Sequence, residues 1–220
     1  MIITIDGPAG SGKSTAARRL AAALGIPYLD TGATYRAVTY KAMLAGVDLT
    51  DPHKLAAVAA DMRLELSPQP QGVRVMLDGQ DVSLAIRSAN VSEKTQYAAR
   101  FRQVRAVLVD LQRRIGMQLG SFVSEGRDQG SVVFPHADLK FYLDASPAVR
   151  ARRRYEELTA IGEDVKYEEI LQAITDRDGR DRSRAVAPLV KPAGAIEMDT
   201  SDMDIEQVTE ALRRAVEARR

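Results

Sequence analysis

The sequence predicts an α/β fold built around a parallel sheet, and three observations carry that prediction. Short β-branched runs alternate with stretches of helical periodicity, as a parallel sheet with helical crossovers requires. The first run, Met1 to Ile5, leads through Asp6 into Gly7-Pro8-Ala9-Gly10-Ser11-Gly12-Lys13-Ser14, which meets every position of the G-x-x-x-x-G-K-[ST] phosphate loop. A chain of 220 residues, 45% apolar and 28% charged, has material for one core with appendages.

Each element follows from its local pattern. Ala16 to Leu24 reads as a helix closed by Gly25. Ile26-Pro27-Tyr28-Leu29 is a second strand, leading through Asp30-Thr31-Gly32 into a helix over Thr34 to Ala45. The alternation breaks between Met62 and Ile86. There Leu64-Glu65-Leu66 and Val73 to Leu77 read as strands separated by Pro68, Pro70 and Gly72, and Asp78-Gly79 signals a tight hairpin. This stretch is a β-rich insertion flanked by helices, the later one over about Val104 to Leu119. Phe122-Val123-Ser124 and Leu139 to Leu143 supply the third and fourth core strands, whose C-terminal ends should meet at one sheet edge. Pro147 opens a helix to about Ile161 and another spans about Tyr167 to Arg177, forming a charged helical hairpin. Ile196-Glu197-Met198 is the fifth strand. The last helix, Ile205 to Ala218, places Ile205, Val208, Leu212 and Val216 on one face.

Composition excludes several function classes. Thirty-one basic against 30 acidic residues leave a net charge of +1, short of the positive excess a nucleic-acid coat needs. No apolar run approaches a membrane span, and Met1 to Ile5 carries no basic leader, so the expectation is an unsecreted protein. The absence of Cys removes disulfides, thiolate zinc sites and thiol nucleophiles. The two histidines, His53 and His136, stand in loop contexts beside prolines, which disfavours histidine chemistry. Among the cations, 24 Arg outnumber 7 Lys, a bias suited to two-pronged phosphate contacts.

The phosphate loop sets the chemistry. Its glycines let successive N–H groups turn inward toward phosphates while the following helix offers its positive end. Lys13 adds a full charge near the β- and γ-phosphates, and the Ser14 hydroxyl suits Mg²⁺. Three further constellations bear on the phosphoryl acceptor. Thr31 and Arg36 form a helix start plus a cation, a seat for a second phosphate, with Thr31 equally readable as a helix cap. Glu125, Arg127 and Asp128 lie where the third strand runs out. Glu125 suits metal-bound water, Arg127 a transferring phosphate and Asp128 an exocyclic amine, the bland reading being a surface Arg-Asp pair. Arg177, Arg180 and Arg184 stand at i, i+3 and i+7, one face of a helix, and read as a clamp on the transferring phosphoryl.

Four motifs in order resemble the bacterial cytidylate kinases, among the nucleoside monophosphate kinases, nearly end to end. They are the loop at 7 to 14, Leu-Asp-Thr-Gly-Ala-Thr-Tyr-Arg at 29 to 36, Gly-Arg-Asp at 126 to 128 with Val-Val-Phe-Pro at 132 to 135, and Arg-Asp-x-x-Asp-Arg-x-Arg-Ala-Val-Ala-Pro-Leu at 177 to 189. The resemblance implies a P-loop three-layer fold with a five-stranded parallel sheet, and ATP- and Mg²⁺-dependent phosphorylation of CMP and dCMP. It assigns ATP to Gly7 through Thr15, with Arg153 or Arg154, and the metal to Ser14 and, through water, Glu125. The acceptor phosphate falls to Thr31, Arg36 and Arg127, cytosine to Arg105 and Asp128, and the sugar and phosphates to Arg177, Asp181 and Arg184. Catalytic positions are then Lys13, Arg127, Arg177, Arg180 and Arg184. The implied division is a core of about 1–30, 100–150 and 185–220, an acceptor lobe of about 31–99 holding the small sheet, and a helical lid of about 151–184. A cytoplasmic monomer binding neither nucleic acid nor membrane is expected. The chain departs from the family pattern at two places, with Gln96 where the family usually has Ser on the cytosine-facing helix and Gln129 where Met follows Gly-Arg-Asp. A phosphate-loop kinase of another monophosphate or of a small alcohol, and a nucleotide-gated binding module using the Arg150 to Arg154 and Arg177 to Arg184 runs, are the competing readings.

Overall fold

The computed structural model describes residues 1–69 and 72–219, so Pro70, Gln71 and Arg220 lie outside the described residues. The chain opens with β1 (Ile2–Asp6), α1 (Lys13–Leu24), β2 (Tyr28–Asp30) and α2 (Thr31–Leu44). The insertion holds α3 (Pro52–Asp61), β3 (Leu64–Gln69), β4 (Gly72–Leu77), β5 (Gln80–Asp81), a 3₁₀ turn at Ala85–Arg87 and α4 (Ala89–Arg100). Then come α5 (Arg102–Leu119), β6 (Phe122–Gly126), a π-helical turn at Gln129–Val133 and β7 (Leu139–Asp144). The helical hairpin α6 (Pro147–Ala160) and α7 (Tyr167–Arg182), β8 (Ile196–Asp199) and α8 (Ile205–Glu217) complete it.

The five expected core strands form one sheet in the order β2-β6-β1-β7-β8 with every pair parallel. Register places Asp6 beside Gly126, and Asp30 beside Glu125. The polar strand ends therefore converge at one edge, the position where an open α/β sheet accepts ligands. Ile3, Ile5, Phe141 and Leu143 are fully buried in the sheet, with Leu20 of α1 and Leu212 of α8 in the same core. Each such side chain contributes about 1.5–3 kcal/mol by leaving water. The α8 face expected from periodicity is buried at Val208, Leu212 and Val216, and a capping box between Asp204 and Gln207 starts the helix.

Several boundaries differ from the sequence expectation for identifiable reasons. α2 begins at Thr31 because the Asp30 side chain, and not Thr31, caps it, accepting from the Ala33 N–H at 3.0 Å. α3 has Asp51 as cap and Pro52 in its first turn, so His53, expected in a loop, lies in the first turn of a helix instead. Pro68 lies within β3 rather than between strands; β3 is an edge strand of the order β3-β4-β5, where a missing N–H is tolerated. The Asp78-Gly79 turn has positive φ at both residues, 50° and 85°, as a tight hairpin requires. α7 runs on to Arg182, its packed face carried by Ile174, Asp178 and Asp181.

Candidate active site

Gly7 shows why this loop tolerates no side chain at its start. Its φ is 150°, and a Cβ there would sit 2.0 Å from the Leu143 carbonyl oxygen. Gly12, at φ 80°, turns the chain into α1. The buried Lys13 ammonium donates to the Pro8 carbonyl at 2.8 Å. Loss of hydration, reinforced by the Arg127 cation, pulls its pKa down to about 7. A polyphosphate bound in the loop would supply the missing counter-charge and return the lysine to its ammonium form. Binding of a nucleoside triphosphate is therefore expected to take up close to one proton at about pH 8, and less at about pH 6 where Lys13 already carries it. Calorimetry in buffers of different ionisation enthalpy reads this directly; uptake that stays flat or falls with rising pH would contradict it.

Glu125 organises the end of β6. Its Oε1 accepts from Ser14 Oγ at 2.9 Å and from the Tyr28 hydroxyl at 3.2 Å, while its backbone carbonyl accepts from Thr31 Oγ1 at 2.7 Å. The Ser14 hydroxyl and a mostly buried carboxylate, adjacent beside the loop, form a hard-oxygen pair that fits Mg²⁺. Among the described residues no cluster of three or more His, Cys, Asp or Glu forms a metal cage, so phosphate and water would complete the coordination.

The acceptor-side residues form two clusters. Asp30 Oδ2 accepts from Arg36 at 2.7 Å and from Arg87 at 3.0 Å, which adds Arg87, absent from the sequence reading, to this corner. Arg105 donates to Asp128 Oδ2, both being buried, and lies over the Tyr35 ring at 5.5 Å. The turn carrying Arg127 and Asp128 is clasped to β1: Asp6 accepts from the Gln129 N–H at 2.8 Å and the Gly130 N–H at 2.7 Å. Burial still pushes the Asp6 carboxyl up to about 7. Gln129, buried, accepts from Ser124 Oγ at 2.8 Å. Gln96 is exposed on α4.

The third cluster joins the strand edge to α7. Arg127 donates to Asp181 Oδ2 at 3.0 Å, and Arg184 to Asp181 Oδ1. Burial would raise the Asp181 pKa, but Arg127, Arg184 and Arg177 outweigh it and hold it below the usual carboxylate range. Arg177, exposed on α7 but crowded by its neighbours, has its pKa drawn down to about 10 by partial loss of hydration and then by Arg127. The expected helical face of three arginines is corrected here: α7 ends at Arg182, and Arg184 lies beyond the Ser183 cap, folded back onto Asp181. Arg180 is exposed. With more cations than carboxylates, the cluster can accept anionic oxygens.

Beside the loop, Ser11, Gly12 and Thr15 share a cavity of about 370 Å³ with Arg153, Met203, Asp204, Ile205 and Val208. Arg153 donates at its wall to the Met203 carbonyl at 3.0 Å. Arg154 instead pairs with Glu157 at 3.1 Å, both half-exposed.

The family model described as cytidylate kinase matches residues 3–218. The chain is similar to the cytidylate kinase of Pelotomaculum thermopropionicum, 48% identical over 99% of this chain and 96% of that protein. It is likewise similar to that of Caldanaerobacter subterraneus subsp. tengcongensis, 46% identical over 97% of this chain and 93% of the relative. Among solved structures, an uncharacterized protein from Eubacterium ventriosum shares the fold with a TM-score of 0.54 at 15% identity, covering 99% of this chain and 98% of that one.

Proposed function

The chain belongs to the cytidylate kinase family and phosphorylates CMP with ATP, and from that premise we propose how its residues divide the work. The observation that carries the assignment is the Arg127–Asp181–Arg184 cluster, which joins the strand edge beside the phosphate loop to the lid helix α7. The loop from Gly7 to Ser14 and Lys13 hold the β- and γ-phosphates, Thr15 and the adjoining cavity receive the nucleoside of ATP, and Arg153 gates that cavity's wall. Ser14 and Glu125 hold Mg²⁺, which when bound offsets charge on the ATP phosphates. Thr31, Arg36 and Arg127 seat the CMP phosphate, with Arg87 sharing Asp30. Arg105 and Asp128 read the base, and Gln96 faces it from α4 in the closed enzyme. Arg177, Arg180, Asp181 and Arg184 close over the sugar and phosphates and spread the charge of the transferring phosphoryl.

The same reading divides the chain into a core of about 1–30, 100–150 and 185–220, an acceptor lobe of about 31–99 and a lid of about 151–184. Closure excludes water, which would otherwise take the phosphoryl group. The enzyme acts as a cytoplasmic monomer. In support, the large exposed apolar side chains Leu44, Leu84, Met117, Ile161 and Val190 fall on different segments of the chain, and among the described residues no helix is long and apolar enough to cross a membrane.

A coupled assay with ATP, Mg²⁺ and each of CMP, dCMP, UMP, AMP and dTMP tests the base assignment. CMP and dCMP are expected to turn over fastest; a faster purine or thymine acceptor would overturn it. Asp128→Ala should raise the KM for CMP at least about tenfold, more than it lowers kcat, because it removes a ground-state base contact. An equal loss for every base would remove Asp128 from that role.

A further inference from the structure

Arg150 is among the largest fully enclosed side chains, 1% exposed, yet it lies outside the four motifs that define the site. It stands in a basic run near the start of α6 that reads as a solvated helix face. Its guanidinium instead spans three elements. Nε donates to the Ala145 carbonyl just past β7 at 2.8 Å, Nη1 to the Ala9 carbonyl of the phosphate loop at 2.9 Å, and Nη2 to Asp178 Oδ2 of α7 at 2.5 Å.

Each contact has a consequence for the chemistry. In a trans peptide the carbonyl and the following N–H point in opposite directions. Holding the Ala9 carbonyl toward Arg150 therefore directs the Gly10 N–H away from it and fixes that part of the loop's shape. The side chain also backs the loop, since a Cβ built on Gly10 would lie 3.3 Å from Arg150 Cβ. At its other end Arg150 grips Asp178, which follows Arg177 and precedes Asp181 by about one helical turn. α7 thus meets the loop through the same guanidinium that shapes the loop. Asp178 Oδ1 has no hydrogen-bond partner among the described residues, so the pair is a single-point contact rather than a closed fork.

We infer that Arg150 is a positioning residue for phosphoryl transfer: by joining Ala9 of the phosphate loop to Asp178 of α7, it sets the loop and the arginine-bearing end of α7 in register. The inference rests on the reading of the loop as the ATP site. A merely structural buried ion pair can usually be replaced by apolar residues of similar volume at little or no loss of stability. That contrast supplies the test.

The variants are the double substitution Arg150→Met with Asp178→Leu, and the single substitution Asp178→Asn, which keeps its volume and an acceptor oxygen. Steady-state kinetics with ATP and CMP is measured beside thermal unfolding. The folded double variant is expected to lose about thirtyfold in kcat and gain about tenfold in ATP KM. Asp178→Asn is expected to lose about tenfold in kcat with an unfolding midpoint close to wild type, and it decides the matter should the double variant not fold. Wild-type kcat and ATP KM in the folded variants, whatever their melting temperatures, would overturn the inference. No CDP formation by the wild-type chain would instead overturn the underlying reading of the site, and the inference with it.

Discussion

Lys13→Ala is expected to lower turnover by at least about a hundredfold while leaving the fold no less stable. The kinetic loss follows from position and the role proposed for it: an ammonium buried at the mouth of α1 would stabilise charge developing on the transferring phosphoryl, and alanine offers nothing there. Stability moves the other way. With its pKa lowered from 10.5 to about 7, Lys13 is protonated in the unfolded chain and largely neutral in the folded one between those values. Wild-type stability therefore rises with pH across that window, as the penalty of burying the cation fades. Any stability advantage of Lys13→Ala should be greatest at about pH 7 and shrink toward pH 10. Turnover within about threefold of wild type would remove Lys13 from the phosphate-binding role, and an advantage growing with pH would contradict its buried, crowded environment.

Arg184→Ala should cost about a hundredfold in kcat with a change of only a few degrees in unfolding temperature. Arg184 lies past the end of α7, where an alanine disturbs no helical hydrogen bond. Asp181, its partner, keeps Arg127, so no buried carboxylate is stranded. What is lost is one of the cations that crowd around Arg177 and Asp181, and with it a proposed contact to phosphate oxygens. A collapse in unfolding temperature with kcat intact would show that Arg184 staples the fold instead of serving the reaction.

The parts of the site readable from the sequence are those whose chemistry is local. Gly7 to Ser14 is a contiguous loop, and the five strands announce themselves by β-branched runs, so loop, sheet and convergent strand ends were all expected. Partnerships across the fold were not readable. Asp6 clasps the Gln129-Gly130 amides, Asp30 holds Arg87 and Arg150 holds Asp178; each depends on which elements the sheet order brings together, which residue spacing does not encode. Arg150 was hidden further by its setting, because a run of arginines reads as solvated until one of them proves to be enclosed. The true end of α7 escaped for a related reason. Its inner face is packed by Asp178 and Asp181 as well as Ile174, and ion-paired carboxylates leave no trace in a hydrophobic pattern.

Direct transfer of one phosphoryl group between two nucleotides gripped at the same strand edge is tested most plainly by supplying ATP labelled in the γ-phosphate, with Mg²⁺, in the presence and absence of CMP. The expected result is label appearing in CDP in step with ADP, and negligible inorganic phosphate when CMP is withheld. Label released as inorganic phosphate at the same rate with or without CMP would contradict it.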